Sequence, residues 1–254
     1  MLALFYNRPF HFSHFFTFLY TLNPRIFSLS TFLPFFSRLF TFLCSACKLT
    51  LTLLLQFATR LTALLFISDE AAESALYTAF SEDKQLTQTL SALRSTPQPA
   101  GLSPHDTFSA LFICLGQCEH RQRSFTSQLE KVQTRFRTVP NLPDNTGFQC
   151  LHAHYYEHLS VYHLFRYFMD CAWSCEPLLQ VQHIALACLS VYALSLSQWL
   201  ENGRSLSEKE HQAVFCAYSR EIEHSIPNQA LLSEHLTLDL ELSAPALTGL
   251  LMTL

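Results

Sequence analysis

Apolar residues recur at helical spacing from residue 69 onward. Between 148 and 169 they are three or four positions apart, at Leu151, Tyr155, Leu159, Tyr162, Phe165 and Met169. This period places them on one face of an amphipathic helix. The stretch 178–200 is apolar almost all round, which predicts a central buried helix flanked by helices over 148–169 and 207–224. We therefore predict an all-α fold, an irregular helical bundle.

Capping residues and helix breakers indicate where these helices begin and end. Ser103 followed by Pro104 is typical of a helix start, because a serine side chain caps the first turn and proline is tolerated there. Ser207 and Glu210 have the spacing of a capping box. Pro227 is expected to end the helix that begins after Ser207, since proline has no N–H to continue it.

The first 68 residues differ in composition from the rest. They contain no Asp, Glu, Gly or Val, carry five basic residues and hold 14 of the 23 Phe. Their charge is therefore +5, whereas residues 69–254, with 11 basic and 20 acidic residues, carry −9. This break predicts two regions, a separate basic, Phe-rich hydrophobic segment over 1–68 and a helical domain over 69–254.

Three interpretations of the segment 1–68 stay open. Its windows 27–47 and 49–67 each have roughly the 20 residues needed to cross a bilayer, but Arg38 and Arg60 interrupt them. The Arg- and Ser-containing, acid-free composition fits a transit peptide, although the aromatic content is high for one. The third interpretation is an upstream or frame-shifted translation joined to the domain, since folded domains rarely lack four common residue types over such a length.

Nine cysteines raise the question of metal binding and redox compartment. Cys44 and Cys47 have the CxxC spacing of zinc and cluster ligands, but one pair supplies only two of about four ligands. We therefore predict no metal site, with Cys44 and Cys47 as weak candidates. Cys114 and Cys118 are expected to be buried free thiols on one helix face. Without a clear secretory signal, a reducing cytoplasmic location is expected.

Four histidines cluster on the predicted helix 148–169: His152, His154, His158 and His163. His154 and His158 are four residues apart and could share a metal ion. Since a third ligand type is missing, a polar helix face is the favoured interpretation.

The most distinctive polar run is 219–225, with the sequence SREIEHS. Arg220 and His224 are four residues apart and are predicted to project from one helix face, with Glu223 beside them. A guanidinium suits a carboxylate or a phosphate, so the run could form an anion site. The alternative is a solvated helix end, where a cation is also favoured by the helix dipole.

Two stretches of the chain resemble the flagellin lysine-N-methylase family. The stretch 155–168, YYEHLSVYHLFRYF, is similar to the family's E-N-Y-L-V-x-x-L-F-R helix, with His158 in place of the Asn. The run that begins at Ser219 is similar to the C-terminal S-R-x-x-E-H-N signature, with Ser225 in place of its Asn. The resemblance covers roughly residues 90–236 and includes the apolar helix between the two motifs.

The resemblance implies methyl transfer to lysine side chains of bacterial flagellin, with S-adenosylmethionine as the methyl donor. It makes Ser219, Arg220, Glu223 and His224 the candidates for binding substrate or donor, and leaves the catalytic residues unassigned. Members of this family also carry a Cys-rich N-terminal segment that resembles an iron–sulfur ligand set, which this sequence lacks. We therefore expect the C-terminal half of such an enzyme, truncated and inactive by itself.

The alternative function is a non-catalytic helical interaction module, associated with a membrane through residues 1–68. The enzyme interpretation requires Arg220 and His224 to point into a cleft, whereas the module requires an exposed apolar groove. Nucleic acid is excluded as a partner, because the net charge is −4 and the pI is about 6.3.

Overall fold

The computed structural model describes residues 51–52, 54–60, 62, 75, 88, 103–137, 146–167 and 176–253. Over these ranges the backbone is helical apart from short turns, and it contains no strand. The predicted all-α fold is therefore confirmed for the described part of the chain. Most of residues 1–102 and the stretches 138–145 and 168–175 lie outside it.

In the described ranges after residue 103 the chain forms seven α-helices. They are α1 (Pro104–Gln117), α2 (Arg123–Arg137), α3 (Thr146–Tyr167), α4 (Pro177–Glu201), α5 (Glu208–Tyr218), α6 (Ile226–Leu238) and α7 (Ala244–Thr253). A five-residue π-helix (Ser219–Glu223) joins α5 to α6, and a 3-10 turn (Leu240–Leu242) precedes α7.

Helix α4 forms the centre of the bundle, as its sequence predicts. Leu186, Val191 and Leu194 are at most 3% exposed. Helices α2, α3, α5, α6 and α7 all pack against it, so an apolar side chain on any face of α4 meets another helix. Helix α4 is also long and apolar enough to cross a bilayer, but 78% of its most apolar window is buried inside the protein. That burial is typical of a core helix.

The predicted helix starts are confirmed by their hydrogen bonds. The Ser103 hydroxyl accepts the backbone N–H of Asp106, and the Asp106 carboxylate accepts from the backbone N–H of Ser103. Ser207 and Glu210 form the same reciprocal pair at the start of α5. Pro227 behaves differently from the prediction: it occupies the first turn of α6 instead of ending a helix. The first turn leaves N–H groups unpaired anyway, so proline costs little there.

The buried face of α3 agrees with the predicted stripe only in part: Leu159 is buried and Tyr162 packs against the core, but the start of the helix differs. Leu151 is 62% exposed, whereas Phe148, His152 and Tyr156 are buried. The first half of α3 is therefore oriented with two aromatic rings and a histidine, those of Phe148, Tyr156 and His152, towards α4 and α5. The predicted stripe counted only apolar residues, and it could not show that His152 is buried against a polar partner. Met169 and the side chain of Phe165 lie outside the described residues.

A short part of the N-terminal segment belongs to the core. Leu51, Leu54, Leu55, Phe57 and Ala58 are at most 1% exposed and join the same hydrophobic cluster as the seven helices. The prediction that 1–68 packs apart therefore does not hold for these residues. The phenylalanines between 32 and 40 lie outside the described residues, and the domain boundary at 68 stays a prediction.

Candidate functional site

The polar run 219–225 adopts a π-helix, and this changes which side chains face inward. The backbone N–H of His224 donates to the carbonyl of Ser219 at 3.0 Å, a bond that closes a turn one residue wider than an α-helical turn. Glu221 and Glu223 point inward and are 2% and 9% exposed. Arg220 is exposed, as is His224. The sequence predicts that Arg220 and His224 share one helix face, but that prediction assumed α-helical spacing, which the π-helix does not keep. The exposure of Arg220 does not meet the requirement of the enzyme interpretation that both side chains point into a cleft.

Glu223 connects this run to α3. Its Oε1 accepts a hydrogen bond of 2.7 Å from the hydroxyl of Tyr162 and a second from the hydroxyl of Tyr167. Arg166 donates from Nε to the Tyr167 hydroxyl at 2.9 Å, and the same Nε lies 3.8 Å from Glu223 Oε1. Arg166 and Tyr167 belong to the first family-like motif and Glu223 to the second, so the two motifs meet at this carboxylate.

The electrostatics of this contact fix the protonation states. Burial by itself raises the pKa of Glu223, but hydrogen bonds from Ser219, Tyr167 and Tyr162 outweigh it and lower the pKa below 4.5. Burial and the bond to Glu223 raise the pKa of Tyr162 to about 12. The pKa of Tyr167 is raised for the same two reasons. At neutral pH Glu223 is therefore a carboxylate that accepts from two protonated tyrosines.

Glu221 makes a second connection, to the loop between α1 and α2. Its Oε2 accepts the backbone N–H of Arg121 at 2.6 Å and that of Gln122 at 3.3 Å. Asn228, 1% exposed, accepts from the backbone N–H of Glu119 and donates to the carbonyls of Glu119 and Glu221. The loop 118–122 is thus held against the π-helix by polar groups that are paired with backbone, as buried polar groups require.

A cleft of about 350 Å³ lies between the loop 118–122 and the segment from the π-helix to the start of α6. Its polar lining is Glu119, His120, Arg121, Glu221, His224 and Ser225. His224 Nε2 is 3.2 Å from the Ser219 hydroxyl. The Arg220 guanidinium donates to Gln122 Oε1 at 3.4 Å. Of the four candidates predicted from sequence, His224 lines this cleft, whereas Ser219, Arg220 and Glu223 are not part of its lining.

The histidines of α3 do not all lie on one face of the helix: some are exposed and others are buried. His154 is exposed, but His152 and His163 are 8% and 3% exposed. His152 Nδ1 lies 2.9 Å from Nε2 of His211, which is fully buried on α5. No group of three or more metal-ligating side chains occurs in the described part of the chain. The side chain of Glu157, and both Cys44 and Cys47, lie outside it.

Burial lowers the pKa of His163, His183 and His211 to about 4. In the unfolded chain histidine titrates near pH 6.5, so between about pH 6.5 and about pH 4 only the unfolded state takes up these protons. We expect the free energy of unfolding to fall as the pH falls through this range, by up to about 1.4 kcal/mol per pH unit and per histidine. Urea unfolding at about pH 7 and at about pH 5 measures this change in the free energy of unfolding. Equal free energies at the two pH values would contradict the claim that these buried histidines are neutral.

The described cysteines do not fit an iron–sulfur cluster. Cys114, Cys118 and Cys188 are buried free thiols, as the sequence predicts for the first two, and Cys216 is exposed. Burial raises the pKa of Cys114 to about 12 and that of Cys118 to about 11, whereas cluster ligands are thiolates. Cys114 and Cys118 are therefore part of the core packing.

Several residues of the site could not be found by reasoning from the sequence. Tyr162 and Tyr167 fall inside the first family-like motif, which was a usable signal, but nothing indicated that they contact Glu223. In the sequence, Glu221 is one of several acidic residues in a predicted helix, and Asn228 follows Pro227 outside any motif, so nothing marked either residue as part of a site. Their partners are about 100 residues away in sequence.

A comparison with known protein families identifies the family of this chain. A protein-family model described as the FliB lysine N-methylase C-terminal domain matches residues 50–241. No curated protein and no solved structure matches the chain. The matched range begins within the N-terminal segment, next to the buried residues 51–58, and it contains both motifs that meet at Glu223. Because the match spans well over half of its residues, the chain belongs to the FliB lysine N-methylase C-terminal domain family.

Proposed function

We propose that this chain is the C-terminal part of a protein-lysine N-methyltransferase that acts on flagellin with S-adenosylmethionine as methyl donor. The observation that carries the proposal is the contact between Tyr162, Tyr167 and Glu223. It joins the two family-like motifs at the π-helix, whose Glu221 and the adjacent His224 line a cleft. Membership in a lysine N-methylase family supports the reaction class, and the resemblance to flagellin methylases supports the substrate.

S-adenosylmethionine supplies an electrophilic methyl group when bound. Among the described residues, Arg220 fits the amino-acid end of this donor. Its guanidinium is exposed, and its hydrogen bond to Gln122 leaves donors for a carboxylate. Glu223 is already bonded to two tyrosines, so its part is to hold the π-helix that presents Arg220 and His224.

The polypeptide by itself is proposed to be inactive. The family's Cys-rich segment is not in this sequence, and three of the four described thiols, Cys114, Cys118 and Cys188, are buried, which disfavours the thiolate form that ligates a cluster. The test is an assay of the chain with flagellin and S-adenosylmethionine, alone and with the Cys-rich segment of a complete family member added. Methyllysine formed by the chain alone would overturn the claim of inactivity.

The role of Arg220 and His224 is tested in a complete family member. Alanine at each of the positions that match Arg220 and His224 should lower kcat/KM for flagellin methylation by about tenfold or more, because a hydrogen bond to a charged ligand contributes roughly 1.5–3 kcal/mol. Alanine at the position that matches exposed Glu130 is the control. Wild-type activity of both variants, with circular dichroism unchanged, would remove these residues from the site.

A cytoplasmic location accompanies this function. The four described cysteines are free thiols, which fits a reducing compartment. The alternative, a membrane association through residues 1–68, concerns a segment that lies mostly outside the described residues. Fractionation of cells that express the full chain separates the two, since a membrane anchor would place the protein in the pellet.

A further inference from the structure

The buried carboxylate of Glu221 has one oxygen that is still available for a ligand. Both backbone N–H groups that it accepts, those of Arg121 and Gln122, bond to Oε2. Its Oε1 has no hydrogen bond to any described residue, although the side chain is 98% removed from solvent and lines the cleft. Oε1 does not belong to the fully buried unpaired atoms of the described residues, so it keeps contact with the space of the cleft. It can therefore accept a charge-assisted hydrogen bond from a cationic N–H group that enters the cleft.

The rest of the lining defines the kind of cation. Glu119 adds a second carboxylate to the lining, and Arg121 is the only permanent cation there. With His120 and His224 neutral, the lining therefore carries a net charge of −1. Ile226 and Pro227 form an apolar wall at its mouth, and Ile226 is 84% exposed. A ligand that matches this arrangement has a methylene stem with an ammonium group at its end.

We propose that this cleft receives a lysine side chain of the protein substrate, with its ammonium on Glu221 Oε1 and its methylenes along Ile226 and Pro227. The proposal rests on the proposed function for the identity of the protein that carries the lysine. It makes Glu221 a substrate-binding residue, a role that neither the sequence nor the family match assigns. The π-helix then serves both sides of the site, with Glu221 turned into the cleft and Glu223 holding the helix in place.

The experiment is an NMR titration of the full chain with two capped amino acids. Capped lysine has the ammonium, and capped norleucine has the same four-carbon stem without it. We expect capped lysine to shift the amide signals of 119–122 and 221–226 and to bind at least about tenfold more tightly than capped norleucine, because an ion pair in a partly buried site is worth that factor. Equal binding of the two, or shifts elsewhere only, would overturn the proposal.

Two variants locate the binding. Glu221→Gln keeps an oxygen for the backbone N–H groups of Arg121 and Gln122 but removes the charge, so it should abolish the preference for capped lysine. Ile226→Lys places an ammonium at the mouth without disturbing the core, because Ile226 is exposed. Ile226→Lys should weaken the binding of capped lysine severalfold. The matched control Leu238→Lys, at the exposed end of the same helix, should leave this binding unchanged. Unchanged binding in Glu221→Gln and Ile226→Lys would overturn the assignment.

The proposed function and this inference fail separately. If a complete family member keeps its wild-type KM for flagellin with glutamine at the position that matches Glu221, the cleft is not the lysine site and the methylase function stands. If complete members do not methylate flagellin while this chain binds capped lysine through Glu221, the proposed function fails and the cleft assignment stands.

Discussion

Replacing Phe148 with alanine should lower the free energy of unfolding by about 3–5 kcal/mol, the usual cost of removing a buried phenylalanine ring. Phe148 is fully buried, and its ring centroid lies 5.3 Å from that of Tyr192 and 5.6 Å from that of Trp199. Both partners extend from the central helix α4, so the cavity would open where α3 packs against it. Urea unfolding followed by circular dichroism measures the change.

Leu151 provides the matched control on the same helix. It is 62% exposed, and Leu151→Ala should change the stability by no more than about 0.5 kcal/mol. The sequence pattern predicts the reverse order, since it places Leu151 in the apolar stripe. A larger effect at Leu151 than at Phe148 would show that α3 is rotated from the orientation described above.

Replacing Glu223 with alanine should cost about 2–3 kcal/mol of stability. The substitution removes the acceptor of two tyrosine hydroxyls. Each hydrogen bond to a charged group contributes about 1.5–3 kcal/mol. Part of this loss is offset, because Tyr162 and Tyr167 are half-buried and water can reach their hydroxyls. Glu130→Ala on the exposed face of α2 is the control and should be close to neutral.

The pH dependence of this cost follows from the lowered pKa of Glu223. A carboxyl group whose pKa is lower in the folded state stabilises the protein fully above its ordinary value, here 4.5, and the stabilisation is lost as the pH falls through the folded value. The difference between wild type and Glu223→Ala should therefore be constant near neutral pH and shrink in acid. A difference that grows as the pH falls would contradict the hydrogen-bonded carboxylate.

The central helix and the caps could be predicted from sequence, because their causes are local. An apolar residue on every face of α4 requires a surrounding bundle, and the Ser103 and Ser207 caps depend on residues three positions away. The orientation of α3 could not be predicted from apolar spacing. It depends on His152, which is buried because His211 on another helix hydrogen-bonds to it.

The sequence supplies the candidates Ser219, Arg220, Glu223 and His224, which stay predictions as site residues, but it does not predict their geometry. An α-helical period gives the wrong inward side chains. The π-helix adds one residue to the turn, and the reason it forms is tertiary: Glu221 and Glu223 are held by the loop 118–122 and by Tyr162 and Tyr167. No spacing within the run itself carries that information.

The central claim is that the two family-like motifs are joined through Glu223, and a double-mutant cycle between Tyr167→Phe and Glu223→Gln tests it most directly. The free energy of unfolding is measured for the wild type, both single variants and the double variant. A direct hydrogen bond predicts a coupling energy of about 1–2 kcal/mol, whereas Tyr167→Phe combined with Glu130→Gln should be additive. Additivity within about 0.5 kcal/mol for Tyr167 and Glu223 would contradict the contact on which the site depends.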